Sequence, residues 1–393
     1  MGYPIFGFKM YIMKKRWIYL LSSLLLLSCL ETKKEKEEAV SGESVGIPVF
    51  DISSNISNSV PDTFTWNSIA KYVQFIPLNS EVLLNTSLDP IYTGTNLNVI
   101  VDNKADRINV FDSSGKCKSS FKHVGQGPGE YIYLTFVRFN EADSTLFVFD
   151  NGNSKIITYS LEGKCLEERL LNSRDWGNIH FVDKEGVMYT RGTNDGYALI
   201  SALNENLEVD KKLFLFDSIA TPRKRTATTL TCARSETRDA YILNRAWEDT
   251  VFVIENKMAV PFCVLNKSSH ALPEKEVENF LKLPPENDYF IYTGINLFSS
   301  YLHYRYLFQG NFYSEIWDIE SQTKIVSRSR KLNDSNEEDG CKYVFDSGKT
   351  LRLIPYAYEK KRLIFFIPAE KCMSEFKGMK EDDNPVLMIM DLK

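Results

Sequence analysis

The chain has 393 residues, of which 43% are hydrophobic, 13% aromatic and 25% charged, and its formal net charge is −5. This length is sufficient to bury a large core. The excess of acidic residues argues against nucleic acid as the main partner, because that affinity comes from neutralising phosphates with basic side chains.

The first 28 residues have the layout of an export signal. Three basic residues at 14–16 precede the apolar run Trp17–Leu27, which is shorter than the roughly 20 residues that span a bilayer. Met13 is the more natural start, because basic residues usually follow the initiator directly. The next cysteine makes the segment resemble a bacterial lipoprotein signal, which implies that Cys29 becomes a lipidated N-terminus anchored in a membrane. An ordinary secretory signal with a chance cysteine is the alternative.

Residues 29–60 are predicted to form a flexible stalk that precedes the folded body, 61–393. The sequence ETKKEKEEAVSGESVG after Cys29 is highly charged and lacks aromatic residues, so it cannot bury enough apolar surface to fold. Removal of residues 1–28 takes away four basic and no acidic residues, which brings the formal net charge to about −9.

The folded body consists of short alternating runs such as INVFD, LFVFD and IITYS, which predict strands. The segment NVIVDNKADRINVFDSSGKC (98–117) matches LFVFDNGNSKIITYSLEGKC (146–165) at a shift of 48 without a gap. The matched positions are Asp102 with Asp150, Asn103 with Asn151, Ile108 with Ile156, Gly115 with Gly163, Lys116 with Lys164 and Cys117 with Cys165.

Looser copies of this unit begin near residues 187, 249, 311 and 362, which gives six units. A period above forty residues with several short strands per unit is typical of β-propeller blades. We therefore expect an all-β, six-bladed β-propeller of four-stranded antiparallel blades; seven blades is the alternative. Because closure of the ring removes exposed strand edges, residues 71–78 are predicted to pair with the last blade.

The stretch GQGPGEY at 125–131 is predicted to be the corner between the outer strand of one blade and the inner strand of the next, at 135–140. Glycine permits positive φ and proline fixes φ, as a sharp link requires. A phosphate-binding loop is excluded by context. The dinucleotide motif needs a helix after its glycines and the P-loop ends in Gly-Lys-Ser/Thr, whereas Glu130 and Tyr131 stand here.

Strands alternate in direction within a blade, so the turns between the second and third strands lie on the same face as the links between blades. Polar side chains converge on this face, which makes it the predicted ligand site. The ordinary alternative is that Asp and Asn occupy turns because they bond their own backbone. The candidate contact residues are Asp102, Asn103, Arg107, Glu130, Tyr131, Asp150, Asn151, Lys155 and Arg191.

The corner GQGPGEY and the unit FDNGNSKIITYSLEGK resemble NHL-type propeller repeats. Together with VQFIPLNSEVLL (73–84), DTVFVIENK (249–257) and the lipoprotein signal, they make the chain similar to the six-bladed β-propeller lipoproteins of Gram-negative anaerobes. The resemblance implies a propeller fold, a place in the cell envelope and a link to nutrient or glycan acquisition. It supplies no catalytic residues.

No cofactor and no metal ligands are predicted. The seven cysteines form no CxxC pair, so a zinc site is not expected, and buried free thiols are favoured over disulfides. The alternative function is a metal-dependent, lactonase-like hydrolase or lyase, in which Glu, Asn and Asp would surround a divalent ion such as calcium. The pattern GxSxG of serine hydrolases occurs at 42–46, but in the segment predicted to be a flexible stalk and not between a strand and a helix, so a serine nucleophile is not predicted.

Two further segments have functional alternatives. The basic segment 222–238 could bind an anionic glycan or lipid headgroup, but a solvated loop is the simpler interpretation. The segment LPEKEVENFLKL, 272–283, predicts an amphipathic helix that packs Val277, Phe280 and Leu281 on its own blade or, alternatively, docks a partner protein.

These features predict an outer-membrane lipoprotein, periplasmic or at the cell surface, that acts as a ligand-binding or protein-scaffolding propeller. The expected partner is a small molecule, an oligosaccharide or an envelope protein. A purely structural role in a surface complex is a further alternative.

Overall fold

The computed structural model is a six-bladed β-propeller of four-stranded antiparallel blades, which confirms the predicted fold. The four strands of each blade are called a to d from the axis outward, and the a strands of several neighbouring blades contact one another. The described residues are 46–56, 60, 62–85, 87–134, 136–171, 176–182, 186–193, 198–215, 234–235, 240–245, 247–332, 340–359 and 361–393.

The described chain begins with two strands that join later blades, β1 (Val49–Asp51) and β2 (Ala70–Pro77). A 3₁₀ turn at Ser53–Asn55 and the short helix α1 (Trp66–Ile69) lie between them. Blade 1 contains β3 (Leu88–Thr93), β4 (Leu97–Asp102), β5 (Arg107–Asp112) and β6 (Cys117–Phe121). Blade 2 contains β7 (Phe136–Asn140), β8 (Thr145–Asp150), β9 (Lys155–Ser160) and β10 (Cys165–Leu170). Blade 3 contains β11 (Trp176–Val182), β12 (Met188–Thr193), β13 (Ala198–Leu203) and β14 (Val209–Leu215).

The second half of the ring follows the same order. Blade 4 contains β15 (Arg234–Ser235), β16 (Ala240–Asn244), β17 (Thr250–Glu255) and β18 (Met258–Asn266). Blade 5 contains β19 (Ile291–Phe298), β20 (Tyr301–Phe308), β21 (Asn311–Asp318) and β22 (Lys324–Lys331). The hairpin of β23 (Cys341–Val344) and β24 (Thr350–Leu353) precedes blade 6. Blade 6 contains β25 (Ala357–Glu359), β26 (Arg362–Ile367), the helix α2 (Ala369–Cys372) in its b–c turn, β27 (Val386–Leu392) and, as its d strand, β2.

The ring is closed by the N-terminal part of the chain. Strand β2 pairs antiparallel with β27, from Ala70 opposite Leu392 to Pro77 opposite Val386. The predicted pairing of residues 71–78 with the last blade is therefore confirmed. The N-terminal part of the chain thus supplies the outer strand of blade 6, covers the edge of β27 and joins the two ends of the fold.

The folded body begins earlier than the sequence predicts. Strand β1 pairs in parallel with β18, the outer strand of blade 4, and the side chains of Phe50 and Ile52 are fully buried. The prediction of a flexible stalk over 29–60 is thus wrong from Val49 onward, because this short apolar run finds a sheet edge on which to pack. Residues 1–45, which include the predicted signal and Cys29, lie outside the described residues.

The 48-residue repeat reflects a repeated contact between blades. Gly115 and Gly163 both adopt φ +85° in the c–d turns of blades 1 and 2. A Cβ added at Gly163 would lie 2.5 Å from the ring of Phe121, and one at Gly115 would lie 2.1 Å from the carbonyl oxygen of Pro77. Each c–d turn therefore packs closely on the end of the preceding blade's d strand, where only glycine fits.

The predicted number of units is right, but the units predicted at 249 and 311 start at a different strand of the blade from the others. Residues 98, 146, 187 and 362 lie at or next to the start of b strands, whereas 249 and 311 lie at the start of c strands. Alternation of apolar and polar residues does not distinguish one strand of a blade from the next, so the register was lost where sequence identity was weak.

The segment predicted as an amphipathic helix forms a 3₁₀ helix at Glu274–Lys282. Val277 and Phe280 are buried with Leu272, Ile291 and Leu307, so this apolar face packs on blade 5. Cys117, Cys165, Cys263, Cys341 and Cys372 are free; the last three are buried, whereas Cys165 is exposed. The basic segment 222–238 lies outside the described residues except for the backbone of Arg234–Ser235.

Candidate functional site

The predicted corner, 125–131, uses its own amide groups within the fold. The amide of Gly127 donates to Oε2 of Glu130 (2.9 Å), and the amide of Gly129 donates to Oε2 of Glu168 in strand d of blade 2 (2.6 Å). Two carboxylates thus occupy the positions that a phosphate would take in an anion-binding loop. The corner is a structural link, as predicted.

Side chains of blade 2 bind the carbonyl groups of the same corner. Asn153 Nδ2 donates to the oxygen of Gly125 (3.0 Å), and Lys155 Nζ donates to that of Gly127 (2.8 Å). Lys155 is almost fully buried and also pairs with Glu168 (3.1 Å). Burial raises the pKa of Glu168, but the amide of Gly129 and the ammonium of Lys155 outweigh it and hold the pKa below its usual value.

Asp102 and Asp150, the matched acids of the repeat, are completely buried at the ends of the b strands. One oxygen of each caps its own b–c turn and the other binds the segment that leads into its own blade. The amide donors are Asn85 and Ala105 for Asp102, and Ile132 and Gly152 for Asp150, at 2.8–3.0 Å. Burial leaves neither carboxylate available to a ligand on this face.

Tyr131 is also enclosed. Its hydroxyl donates to the carbonyl of Asp106 (2.8 Å) and accepts from the amide of His123 (3.2 Å). Burial raises the pKa of Tyr131 to about 12. The contact with Asp106 does bring the b–c turn of blade 1 and the blade-to-blade corner to the same face, as expected from strand direction.

The other candidates on this face are less enclosed. Arg107 donates to Oγ of Ser120 (3.1 Å), Asn103 is exposed and Asn151 is half-buried. Arg191 belongs to β12, but its side chain lies outside the described residues. The structure therefore brings most of the nine predicted residues to one face, where hydrogen bonds within the fold account for at least six of them.

A polar cleft of about 890 Å³ lies on the opposite face, which carries the a–b and c–d turns. Blades 6, 1 and 2 form its walls: the end of β3 and its a–b turn, the end of β7 and its a–b turn, and the neighbouring ends of β26, β27 and β2. The side chains used below are those of Lys71, Tyr92, Arg138, Glu141, Lys361, Arg362 and Asp391.

An aromatic pair forms part of the cleft wall. The rings of Tyr92 and Phe139, at the ends of the a strands of blades 1 and 2, have centroids 4.6 Å apart. The ring of Tyr92 also covers Gly94, where an added Cβ would lie 2.5 Å from it. The aromatic surface is thus held in place by a neighbouring ring and by a glycine that leaves room for it.

The acidic groups of the cleft have partners, whereas several basic groups do not. Arg362 Nε donates to Oδ1 of Asp391 (2.7 Å), and the hydroxyl of Tyr92 donates to Oε1 of Glu141 (2.7 Å). Within the described residues, no acidic side chain pairs with Lys71, Arg138 or Lys361. The cleft therefore presents a net positive charge inside an acidic protein.

A buried histidine joins blades 5 and 6 away from this cleft. His303 Nδ1 lies 2.8 Å from the hydroxyl of Tyr358, and its Nε2 lies 2.8 Å from Oγ of Ser314. Burial, aided by the charge of Arg305, lowers the pKa of His303 to about 3, so the imidazole is neutral. The contact with Tyr358 ties blade 5 to blade 6, whereas the Ser–His contact lies within blade 5. His303 and Ser314 are both nearly inaccessible, so this pair does not present a nucleophile.

Among the described residues, no group of three or more His, Cys, Asp or Glu side chains is placed to hold a metal ion. None of the helices in the described part of the chain has the length and hydrophobicity needed to cross a bilayer.

Comparison with known proteins places the chain in a family and identifies related folds. The family model "Domain of unknown function (DUF4934)" matches residues 47–391. A crystal structure from Bacteroides fragilis, provisionally described as an exported protein, is 14% identical with a TM-score of 0.59 and covers 84% of this chain and 97% of its own. A member of the DUF4221 family from Bacteroides vulgatus is 12% identical with a TM-score of 0.47 and covers 83% and 97%. Virginiamycin B lyase from Staphylococcus aureus is 12% identical with a TM-score of 0.40 and covers 81% and 99%. No curated protein matches.

Sequence reasoning missed the cleft because its residues are far apart in the chain and belong to no motif. One signal was available. Tyr92 and Phe139 are about one repeat apart, and each lies at the end of an a strand just before its turn. Aromatic residues at matched positions of consecutive blades predict side chains that meet at one face of the ring.

Proposed function

This chain belongs to the DUF4934 family, and we propose that it is an exported binding protein that takes a small organic ligand, an oligosaccharide in the first place, into the cleft formed by blades 6, 1 and 2. The observation that carries the proposal is the aromatic pair of Tyr92 and Phe139 in the wall of a polar cleft. A sugar ring stacks on such a surface while polar groups bind its hydroxyls.

The cell-envelope location rests on the sequence. The basic, apolar and cysteine segments before residue 30 have the layout of a lipoprotein signal, and the B. fragilis relative is itself described as exported. A lipid on Cys29 would hold the propeller at the outer membrane. Labelling of cells with a clickable palmitate tests this assignment: the wild-type protein incorporates the label, and Cys29→Ser does not.

A binding role is favoured over catalysis by the composition of the cleft. Its two acids, Glu141 and Asp391, each have a partner, and the described residues that line it include no histidine or cysteine. A hydrolase or lyase would need an acid–base pair or a metal site there. The melting temperature measured with calcium, zinc or EDTA distinguishes a binding protein from a metal-dependent enzyme. An unchanged melting temperature supports the binding protein, and a strong shift caused by a metal supports the enzyme.

Binding is tested by calorimetric titration with two sugars, tetragalacturonate and uncharged maltotetraose. We expect at least one to bind, and Gly94→Ala to weaken that binding at least about tenfold, because the new methyl group displaces the ring of Tyr92. The matched control is Gly46→Ala, where an added Cβ meets nothing within 4 Å. Failure of both sugars to bind, or equal binding by Gly94→Ala, would contradict the proposal.

A further inference from the structure

The charges of the cleft point to the sign of its ligand. Lys71 and Lys361 come from blade 6, and Arg138 comes from strand a of blade 2. They line the same cleft as the aromatic pair, and none of them has an acidic partner among the described residues. An acidic protein that leaves three cations unpaired around one cleft has an electrostatic potential there that attracts anions.

The two acids of the cleft do not cancel this charge. Asp391 is bonded to Arg362, whose Nη1 also donates to the carbonyl of Thr93 (3.2 Å). Glu141 accepts the hydroxyl of Tyr92 and is exposed. Because both acids already have partners within the fold, the side chains of Lys71, Arg138 and Lys361 remain to bind a ligand. The guanidinium of Arg138 offers two parallel donors, which fit a carboxylate or sulfate oxygen pair.

We propose that the ligand is an acidic oligosaccharide, whose ring lies against Tyr92 and Phe139 while its carboxylate or sulfate groups bind Arg138, Lys71 and Lys361. This inference rests on the proposed function and adds the charge of the ligand to it. The spread of the cations over blades 6 and 2 favours a chain with more than one charged sugar.

The test compares tetragalacturonate, a sulfated chondroitin tetrasaccharide and maltotetraose by calorimetric titration of the purified protein. We expect one or both acidic sugars to bind at least about tenfold more tightly than maltotetraose. Affinity for the acidic sugar should fall as the salt concentration is raised from 50 to 500 mM, because salt screens the few ion pairs that hold its charged groups. Tighter binding of tetragalacturonate, whose charges are all carboxylates, indicates a carboxylate ligand. Tighter binding of the chondroitin sugar, which carries sulfates as well as carboxylates, indicates that sulfate groups are recognised.

Variants that remove one positive charge each show whether the preference for the acidic sugar arises in the cleft. Arg138→Gln, Lys71→Gln and Lys361→Gln should each weaken binding of the acidic sugar about three- to tenfold and weaken binding of maltotetraose less than that. The control is Lys104→Gln, an exposed lysine in the b–c turn of blade 1 on the other face, which should have no effect. Equal affinity for charged and neutral sugars, or no loss in the three variants, would overturn the inference and leave the proposed binding role intact. Binding of no sugar at all would overturn both.

Discussion

The ammonium nitrogen of Lys155 lies 2.8 Å from the carbonyl oxygen of Gly127, so a buried charge of blade 2 holds the link that arrives from blade 1. Lys155→Met would leave this carbonyl and the carboxylate of Glu168 without their cation. We expect a loss of about 2–3 kcal/mol in the free energy of unfolding, at the lower end for a broken buried pair because Glu168 is partly exposed. Urea unfolding measures it. Exposed Lys164→Met is the control, with a change below about 0.5 kcal/mol; an equal effect of both would contradict the assignment.

The N-terminal strand β1 gives a second prediction. Phe50 is fully buried against Trp317 (ring centroids 5.8 Å), whereas its neighbour Val49 is 48% exposed. We expect Phe50→Ala to lower the free energy of unfolding by about 3–5 kcal/mol and Val49→Ala to change it by less than about 0.5 kcal/mol. If β1 only touches blade 4 loosely, the two variants melt at the same temperature.

Two glycines with the same backbone conformation allow the cost of backbone strain to be measured apart from the cost of a steric clash. Gly163 and Gly186 both have φ +85°, but an added Cβ meets the ring of Phe121 at 2.5 Å in the first and nothing within 4 Å in the second. Gly186→Ala should cost about 1–2 kcal/mol through backbone strain alone. Gly163→Ala should cost about 1–3 kcal/mol more through the clash. Chemical unfolding of both variants measures the difference, and equal costs would remove the packing argument.

The buried imidazole of His303 predicts a pH effect. Burial lowers its pKa from 6.5 to about 3, so the unfolded chain binds this proton more readily than the folded one. Its contribution to stability is complete above about pH 6.5 and is lost as the pH falls toward 3, by up to about 1.4 kcal/mol per pH unit. The nearby groups are Arg305, whose charge also lowers the pKa of His303, and Tyr358, whose pKa is raised by burial.

Unfolding of the wild type and of His303→Gln at pH 7, 6, 5 and 4 measures this effect. The glutamine variant is expected to be less stable at pH 7, because it loses the paired contacts with Tyr358 and Ser314. The gap between the two proteins should narrow as the pH falls. A gap that stays constant would show that His303 titrates normally in the folded protein.

The fold could be predicted from the sequence wherever the repeat was strong. The match of 98–117 with 146–165 reflects two blades whose turns pack alike, through Gly115 and Gly163. The closing strand was also predicted correctly, because an apolar run at 71–78 would otherwise have had no partner. The start of the folded body was not predicted correctly, since β1 is only three residues long and is stabilised by its pairing with blade 4 rather than by its own strand propensity.

The site was harder to predict, for a physical reason. Asp102 and Asp150 were candidates because acids at turns suggest ligands, yet they cap backbone amides at those turns. The cleft residues lie on the opposite face and meet only when blades 6, 1 and 2 are assembled. Lys71 and Lys361 are 290 positions apart in the chain, so no local pattern in the sequence brings them together.

The most direct test of this account asks which face of the ring takes the ligand. Hydrogen–deuterium exchange of the protein, with and without tetragalacturonate at saturating concentration, reports it peptide by peptide. We predict slower exchange in residues 91–95 and 138–142, which border the cleft, and no change in residues 103–106 and 125–131 on the other face. Slower exchange confined to residues 103–106 and 125–131 would contradict the account and would place the binding site on the face that carries the b–c turns.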